Sequence, residues 1–336
     1  MRVQDASGGS FSGKMIADAS NVARLEPPAY RGSMNADRPF LGVMLMLAFC
    51  VLAPLGDSIA KLLGGTVALA VLILVRFGVQ AVLLLPLIAI TGQGFRLPKG
   101  LLGWTLLRTV LHIAGIGLMF SALRYLPLAD ALAIAFVMPF ILLLLGHFVM
   151  GEHVGWHRLI ACAAGFVGTL LVIQPNFAAV GYPALLPLGV AVVFALFMMV
   201  TRKIAKAEDP IKLQAISGVQ ATIILLVFLA LVPSAAGTFT FDLGARNWAL
   251  LAALGLLGTT AHLVMTWSLR FAPASTLAPM QYLEIPFGTA VGYMVFADLP
   301  NGLAAIGIFV TVGAGLYIIF REQRLAKALA RTPVAV

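Results

Sequence analysis

The sequence predicts an all-α polytopic membrane protein, ten transmembrane helices arranged as two inverted five-helix repeats. Three observations carry that expectation. Of 336 residues, 61% are hydrophobic and only 10% charged, with a mean hydropathy of +1.02. A soluble domain carries about 25% charged and 45–50% apolar residues. The apolar runs are about 20 residues long, the length that crosses ~30 Å of hydrocarbon as helix, where barrel strands would be about 10 residues and alternating. Third, a set of short sequence features recurs at a spacing of about 146 residues.

The ten spans are 40–62, 66–90, 101–122, 128–150, 156–174, 183–204, 212–233, 247–269, 274–296 and 302–320. Residues 1–38 are polar and rich in Ser, Gly and Ala, without the apolar run of a signal peptide, and are expected to form a disordered cytoplasmic arm. Residues 321–336 form a basic cytoplasmic tail. Cys50 and Cys162 both fall inside spans and read as buried thiols without a disulfide.

Charge placement sets the expected orientation. With a cytoplasmic N-terminus, 17 of the 22 Lys and Arg residues lie on the cytoplasmic side. Lys61, Arg124 and Arg246 lie opposite, and Arg76 and Arg108 lie within spans. The net charge of +9 is therefore a topology signal rather than a nucleic-acid footprint, and both termini are expected inside. Trp104, Trp156, Trp248 and Trp267 sit near span ends, as an aromatic belt requires.

The repeat is the most informative feature. Ala122-Leu-Arg-Tyr-Leu-Pro-Leu-Ala129 resembles Ser268-Leu-Arg-Phe-Ala-Pro-Ala-Ser275, and Pro139-Phe140 answers Pro286-Phe287. Glu152 answers Asp298, and Gly168 to Ile173 answers Gly315 to Ile319. The copies occupy 39–175 and 182–320 with five spans each. Five is odd, so the second copy crosses the membrane in the opposite sense, an architecture that secondary transporters use with a site near midplane.

These residues carry a resemblance. The ten spans, the Ala-Leu-Arg-Tyr-x-Pro-x-Ala signature before spans four and nine, the Pro-Phe in each and the Gly-rich fifth and tenth spans resemble the drug/metabolite transporter superfamily, EamA type. Tyr282-Leu283-Glu284 and Arg76-Phe77 resemble the metabolite-uptake members related to S-adenosylmethionine and riboflavin carriers. The resemblance implies gradient-driven transport of a small organic metabolite across a bacterial inner membrane, through a cavity lined by spans one to four and six to nine. Spans five and ten are then scaffold, with Gly165/Gly168 and Gly313/Gly315 suited to close helix packing.

Glu284 leads the candidate site residues. A carboxylate in hydrocarbon costs roughly 3 kcal/mol unless it meets a partner or a wet cavity. At helical spacing it shares a face with Gln281, and Tyr282 lies beside it. Pro279 and Pro286 flank it, with Pro139 in the first copy, as expected helix breaks that leave carbonyls unsatisfied. Glu284 reads as a group that binds a substrate amine or loads and releases a proton; the structural alternative is a carboxylate bonded to a neighbouring helix. Arg76, near the centre of span two, must be paired or hydrated. It either binds a substrate anion, pairs with Glu284, or forms a fixed ion pair. Arg108 and His112 share a face of span three, with Arg108 expected to snorkel towards the surface. His112 and His262 are expected lining residues or interhelical hydrogen-bond partners. Asp57 and Lys61 are expected to form a solvated i, i+4 pair at the outer end of span one, the alternative being an outer gate. Glu152, His153 and His157 lack the spacing of a metal site, so no metal or cofactor is expected.

The mixture of cation, anion, amide and phenol suits an amino-acid-like zwitterion or an organic anion with an apolar body. Efflux of drugs or toxic metabolites by proton antiport is the alternative within transport. A membrane scaffold or channel is the alternative outside it, although no filter or pore-lining charge series is present. Enzyme signatures such as Gly-x-Ser-x-Gly or His-Glu-x-x-His are absent, as is a phosphate-binding loop. The expected partners are a small-molecule substrate and the lipid bilayer, with a homodimer left open.

Overall fold

The computed structural model describes residues 38–331 apart from 93, 95–96, 99, 151–155, 238–242, 273–276 and 278–279. The expected arm, Pro279, Glu152 and His153 lie outside the described residues, as does the side chain of Cys162. In chain order the helices are α1 (Pro39–Leu63), α2 (Leu69–Ile90), α3 (Leu101–Ala122), α4 (Leu128–Ala135), α5 (Met138–Met150) and α6 (Trp156–Val180). After a short 3-10 turn come α7 (Leu186–Ala205), α8 (Pro210–Leu231), α9 (Gly244–Phe271), α10 (Glu284–Phe296) and α11 (Gly302–Arg331).

Seven stretches are long and apolar enough to cross a bilayer, with shorter apolar helices over Leu128–Leu142 and Gly302–Tyr317. Large apolar side chains stand outward, such as Ile90, Leu231 and Phe309. That arrangement is a liability in water and the expected surface in lipid. Helix starts follow local chemistry. Pro39 and Pro210 occupy first positions, where the missing N–H has no helical partner in any case. Asp209 caps α8, its Oδ1 accepting from Ile211 N at 2.9 Å and Lys212 N at 3.4 Å.

The expected fourth span is two helices. α4 ends at Ala135, Phe136-Val137 form a turn, and α5 begins at Met138. The same turn recurs at Tyr282-Leu283, with α10 beginning at Glu284. Pro139 and Pro286 therefore sit in the first turn of a new helix instead of kinking a continuous one, because an opening turn is where the missing donor costs least. The equivalent rings of Phe136 and Tyr282 meet, centroids 5.6 Å apart. This contact lies where the two copies face each other.

Helices pair across the repeats, the first of each copy with the third of the other and the second and last each with its own equivalent. α1 packs along α9 and α3 along α7, while α2 packs along α8 and α6 along α11. The α6–α11 contact is made close by small residues: a Cβ at Gly168 would stand 2.7 Å from the Gly307 carbonyl oxygen. Thr311 Oγ1 donates to the Gly165 carbonyl at 3.3 Å. Gly315 accommodates Tyr282, since a Cβ there would lie 2.2 Å from the ring. Gly313 has no neighbour within 4 Å of its would-be Cβ and takes no part in the packing expected of it.

Two ends of the bundle can be distinguished. At the near end, where α1 begins, Arg38 N donates to Phe271 O at 3.1 Å, Arg270 pairs with Asp209 at 3.6 Å and Lys212 with Glu208 at 3.2 Å. At the far end, where α1 finishes, Lys61 pairs with Asp298 at 2.9 Å and Arg124 donates to Val67 O at 3.2 Å.

Candidate functional site

A cavity holding about 800 Å³ of empty space, including the part open to solvent, runs from the middle of the bundle towards the far end. α1 contributes Phe49, Gly56 and Asp57; α2 contributes Arg76; α3 contributes Met119 and Phe120. The turn between α4 and α5 adds Phe136 and Met138, α7 adds Phe194, and α9 adds Gly258 and His262. Gln281 and Glu284 complete the wall from either side of the second turn. Among the described residues α6 and α11 contribute nothing, as their scaffold role requires, and neither does α8, which was expected to line the space.

Four of the seven expected site residues meet here: Glu284, Gln281, Arg76 and His262. Glu284 is the first residue of α10 and 7% exposed. The N–H groups of an opening turn favour a negative charge at this position. It has no ion-pair partner among the described residues. Arg76 is 2% exposed; its Nη2 donates to the Gly258 carbonyl at 3.4 Å and its guanidinium lies 4.9 Å from the Phe77 ring centroid. Among the described residues its Nη1 has no hydrogen-bond partner, and the same holds for Gln281 Oε1 and His262 Nδ1.

The other three lie outside the cavity wall. Tyr282 turns into the α6–α11 scaffold, against Gly315 and Phe136. His112 is beneath the floor, its ring 4.2 Å from His262, 4.6 Å from Phe197 and 4.9 Å from Phe77. Arg108 does not snorkel. It is wholly buried one turn nearer the near end, where Nε donates to Thr201 Oγ1 at 3.0 Å and Nη1 to Ser217 Oγ at 2.7 Å. Its Nη2 donates to Gln214 Oε1 at 2.7 Å and Thr266 Oγ1 at 3.2 Å. The physical reason is supply: four hydroxyl and amide acceptors on α7, α8 and α9 reach the guanidinium where it stands, so it has no need of the headgroup region. That layer closes the bundle below the cavity.

One cavity-lining side chain was misassigned. Asp57 was expected to pair with Lys61 along α1, but Lys61 reaches across to Asp298. Asp57 faces the interior, where it lines the same cavity as Arg76 and Glu284. The available signal was the buried cation itself, since a guanidinium in an apolar span needs an anion and Asp57 was one of two carboxylates at suitable depth. The aromatic lining of Phe49, Phe120, Phe136 and Phe194 carried no such signal among 21 phenylalanines.

Comparison with known proteins matches the arrangement. The model of the EamA-like transporter family matches twice, over residues 40–174 and 182–321. A riboflavin transporter of Rhizobium johnstonii is 29% identical over 65% of this chain and 70% of its own length. An S-adenosylmethionine uptake transporter of Rickettsia prowazekii is 23% identical over 84% of this chain and 94% of its own. A solved crystal structure shares the fold at TM-score 0.63 with 19% identity, covering 85% of this chain and 97% of that one.

Proposed function

Because the chain belongs to the EamA-like transporter family, an integral membrane family, we propose that it carries a small organic metabolite across a bacterial inner membrane by alternating access, with Glu284 as the coupling carboxylate. The observation that carries this reading is the cavity itself. It is walled by the two copies together and holds two carboxylates and a guanidinium at the level of the paired helix breaks. Such groups at membrane depth belong with a substrate or ion path. The protein works without chemistry on its cargo, and its termini face the cytoplasm, as its Lys and Arg distribution supports.

Riboflavin and S-adenosylmethionine, named for two relatives, share a flat nitrogen heterocycle attached to a hydroxylated chain. The phenylalanine walls suit such a ring, since aromatic pairs favour offset or edge-to-face contact. We therefore infer that the chain takes up a flat heterocyclic metabolite. A zwitterion is the second reading, favoured by the coexistence of Arg76 with Asp57 and Glu284 in one cavity.

The test is flux into proteoliposomes under an imposed gradient. Glu284→Gln is expected to abolish accumulation while the protein keeps its helical spectrum and elution volume. Undiminished accumulation in that variant would remove Glu284 from the mechanism.

A further inference from the structure

A flat ring in the cavity still has several edges, and the unpartnered atoms of the wall distinguish between them. Arg76 Nη1, Gln281 Oε1 and His262 Nδ1 are buried, belong to residues of the same cavity and lack hydrogen-bond partners among the described residues. Their residues are 2%, 1% and 5% exposed. Native structures pair nearly all buried polar atoms, so three unpartnered ones among the residues lining one cavity point to a counterpart that arrives with a ligand.

Residue chemistry fixes what that counterpart offers. A guanidinium N–H only donates, and an amide oxygen only accepts. Neutral imidazole nitrogen does either, according to tautomer. The ligand edge must bring an acceptor to Arg76 and a donor to Gln281. A carboxylate brings acceptors alone, setting its lone pairs against Gln281 Oε1 and its charge against Asp57 and Glu284. An ammonium brings donors alone and leaves Arg76 Nη1 unanswered. An edge with a carbonyl beside an N–H satisfies both atoms and adds no charge.

The two atoms are also held in place. Arg76 lies along the α9 backbone because residue 258 is glycine: a Cβ there would stand 2.7 Å from Nε and 3.1 Å from Cζ. Gln281 immediately precedes the Tyr282-Leu283 turn, and Tyr282 is anchored in the scaffold against Gly315. One reader therefore belongs to each repeat.

We infer that Arg76 and Gln281 are the specificity-determining pair of this cavity, reading the lactam or imide edge of a flat nitrogen heterocycle through one donated and one accepted hydrogen bond. The inference rests on the uptake of a flat heterocyclic metabolite proposed above. His262 is the adaptable third contact on the cavity floor.

The experiment compares riboflavin, whose imide edge is intact, with N3-methylriboflavin, which lacks the donor, by fluorescence titration of the purified full-length protein. Methylation is expected to weaken binding to the wild type at least tenfold. In Gln281→Leu, riboflavin binding falls to the N3-methyl level while N3-methylriboflavin is unaffected. A merely structural role for Gln281 would weaken both ligands equally, and that outcome overturns the assignment. Gly258→Ala, which displaces the guanidinium without altering its charge, is expected to weaken both ligands several-fold; unchanged affinity overturns the role of Arg76. Equal wild-type affinity for the two flavins, or no binding of riboflavin at all, sinks the edge reading even where proteoliposomes accumulate another solute. Accumulation that persists in Glu284→Gln instead sinks the coupling scheme and leaves the edge reading standing.

Discussion

Arg76 and Arg108 are the same residue type, each in an apolar helix, each at most 2% exposed, and they do opposite things. Arg108 spends its donors on Thr201, Ser217, Gln214 and Thr266, four neutral acceptors on three helices of the second repeat. Among the described residues Arg76 has one long bond to a backbone carbonyl, an aromatic face beside it and an unpartnered Nη1. The satisfied guanidinium ties helices together in the near half. The unsatisfied one faces a cavity. A buried charge thus reads as structure or as function according to how many of its hydrogen bonds the protein itself completes.

The sharpest way to break that comparison is to remove each cation in turn. Arg76→Leu is expected to lose substrate accumulation altogether while its thermal unfolding midpoint stays near the wild-type value, because the protein has little invested in that guanidinium. Arg108→Leu strands several buried polar groups and is expected to lose roughly 3 kcal/mol of stability, read as a lowered unfolding midpoint in detergent. Equal behaviour of the two variants would dissolve the distinction.

A subtler change acts on Arg76 from outside. Gly258→Ala introduces a Cβ that the guanidinium must avoid. Forced shifts of this kind cost about 1–3 kcal/mol in a packed interior, and here the expected readout is a raised KM for uptake with little loss of expressed protein. The smallest effect belongs to the far rim. Lys61→Ala removes a bridge whose partners are 18% and 37% exposed, and is expected to cost under about 1 kcal/mol, screened further by salt. A large loss there, measured by the same melting curves, would mean that the rim bridge holds a state of the cycle closed.

The repeated turns make a second contrast. Phe136-Val137 and Tyr282-Leu283 are equivalent, yet the helix after the first opens with Met138 and the helix after the second with Glu284. That asymmetry was visible in the chain before any coordinates, because a charge in an apolar run stands out against a repeat that otherwise aligns. The position of the prolines was visible too, but their effect was not. Whether a proline bends a helix or opens a new one depends on whether the preceding residues keep helical geometry, and neighbouring helices decide that.

Much of the fold was legible because the bilayer imposes it. Span length, apolar composition and the 146-residue echo all follow from local sequence, and a membrane leaves few ways to bury so many apolar residues. Among the residues that line the cavity, Glu284, Gln281, Arg76 and His262 were legible as polar side chains in apolar spans. The places of Asp57, Tyr282, His112 and Arg108 were not, for one shared reason. Each has a long side chain or a helix face with two plausible environments, and sequence spacing along one helix cannot weigh a partner on another. Lys61 prefers Asp298 at the end of α10 to Asp57 one turn away. Arg108 finds acceptors on α7, α8 and α9 that lie 93 to 158 residues distant in sequence. The chain alone settles what crosses the membrane and that it does so in two copies, because hydrophobicity and repetition are properties of short segments. Which polar groups are satisfied and which are left unpartnered around the cavity is settled only when the helices are packed together, because a hydrogen bond needs both of its partners in place.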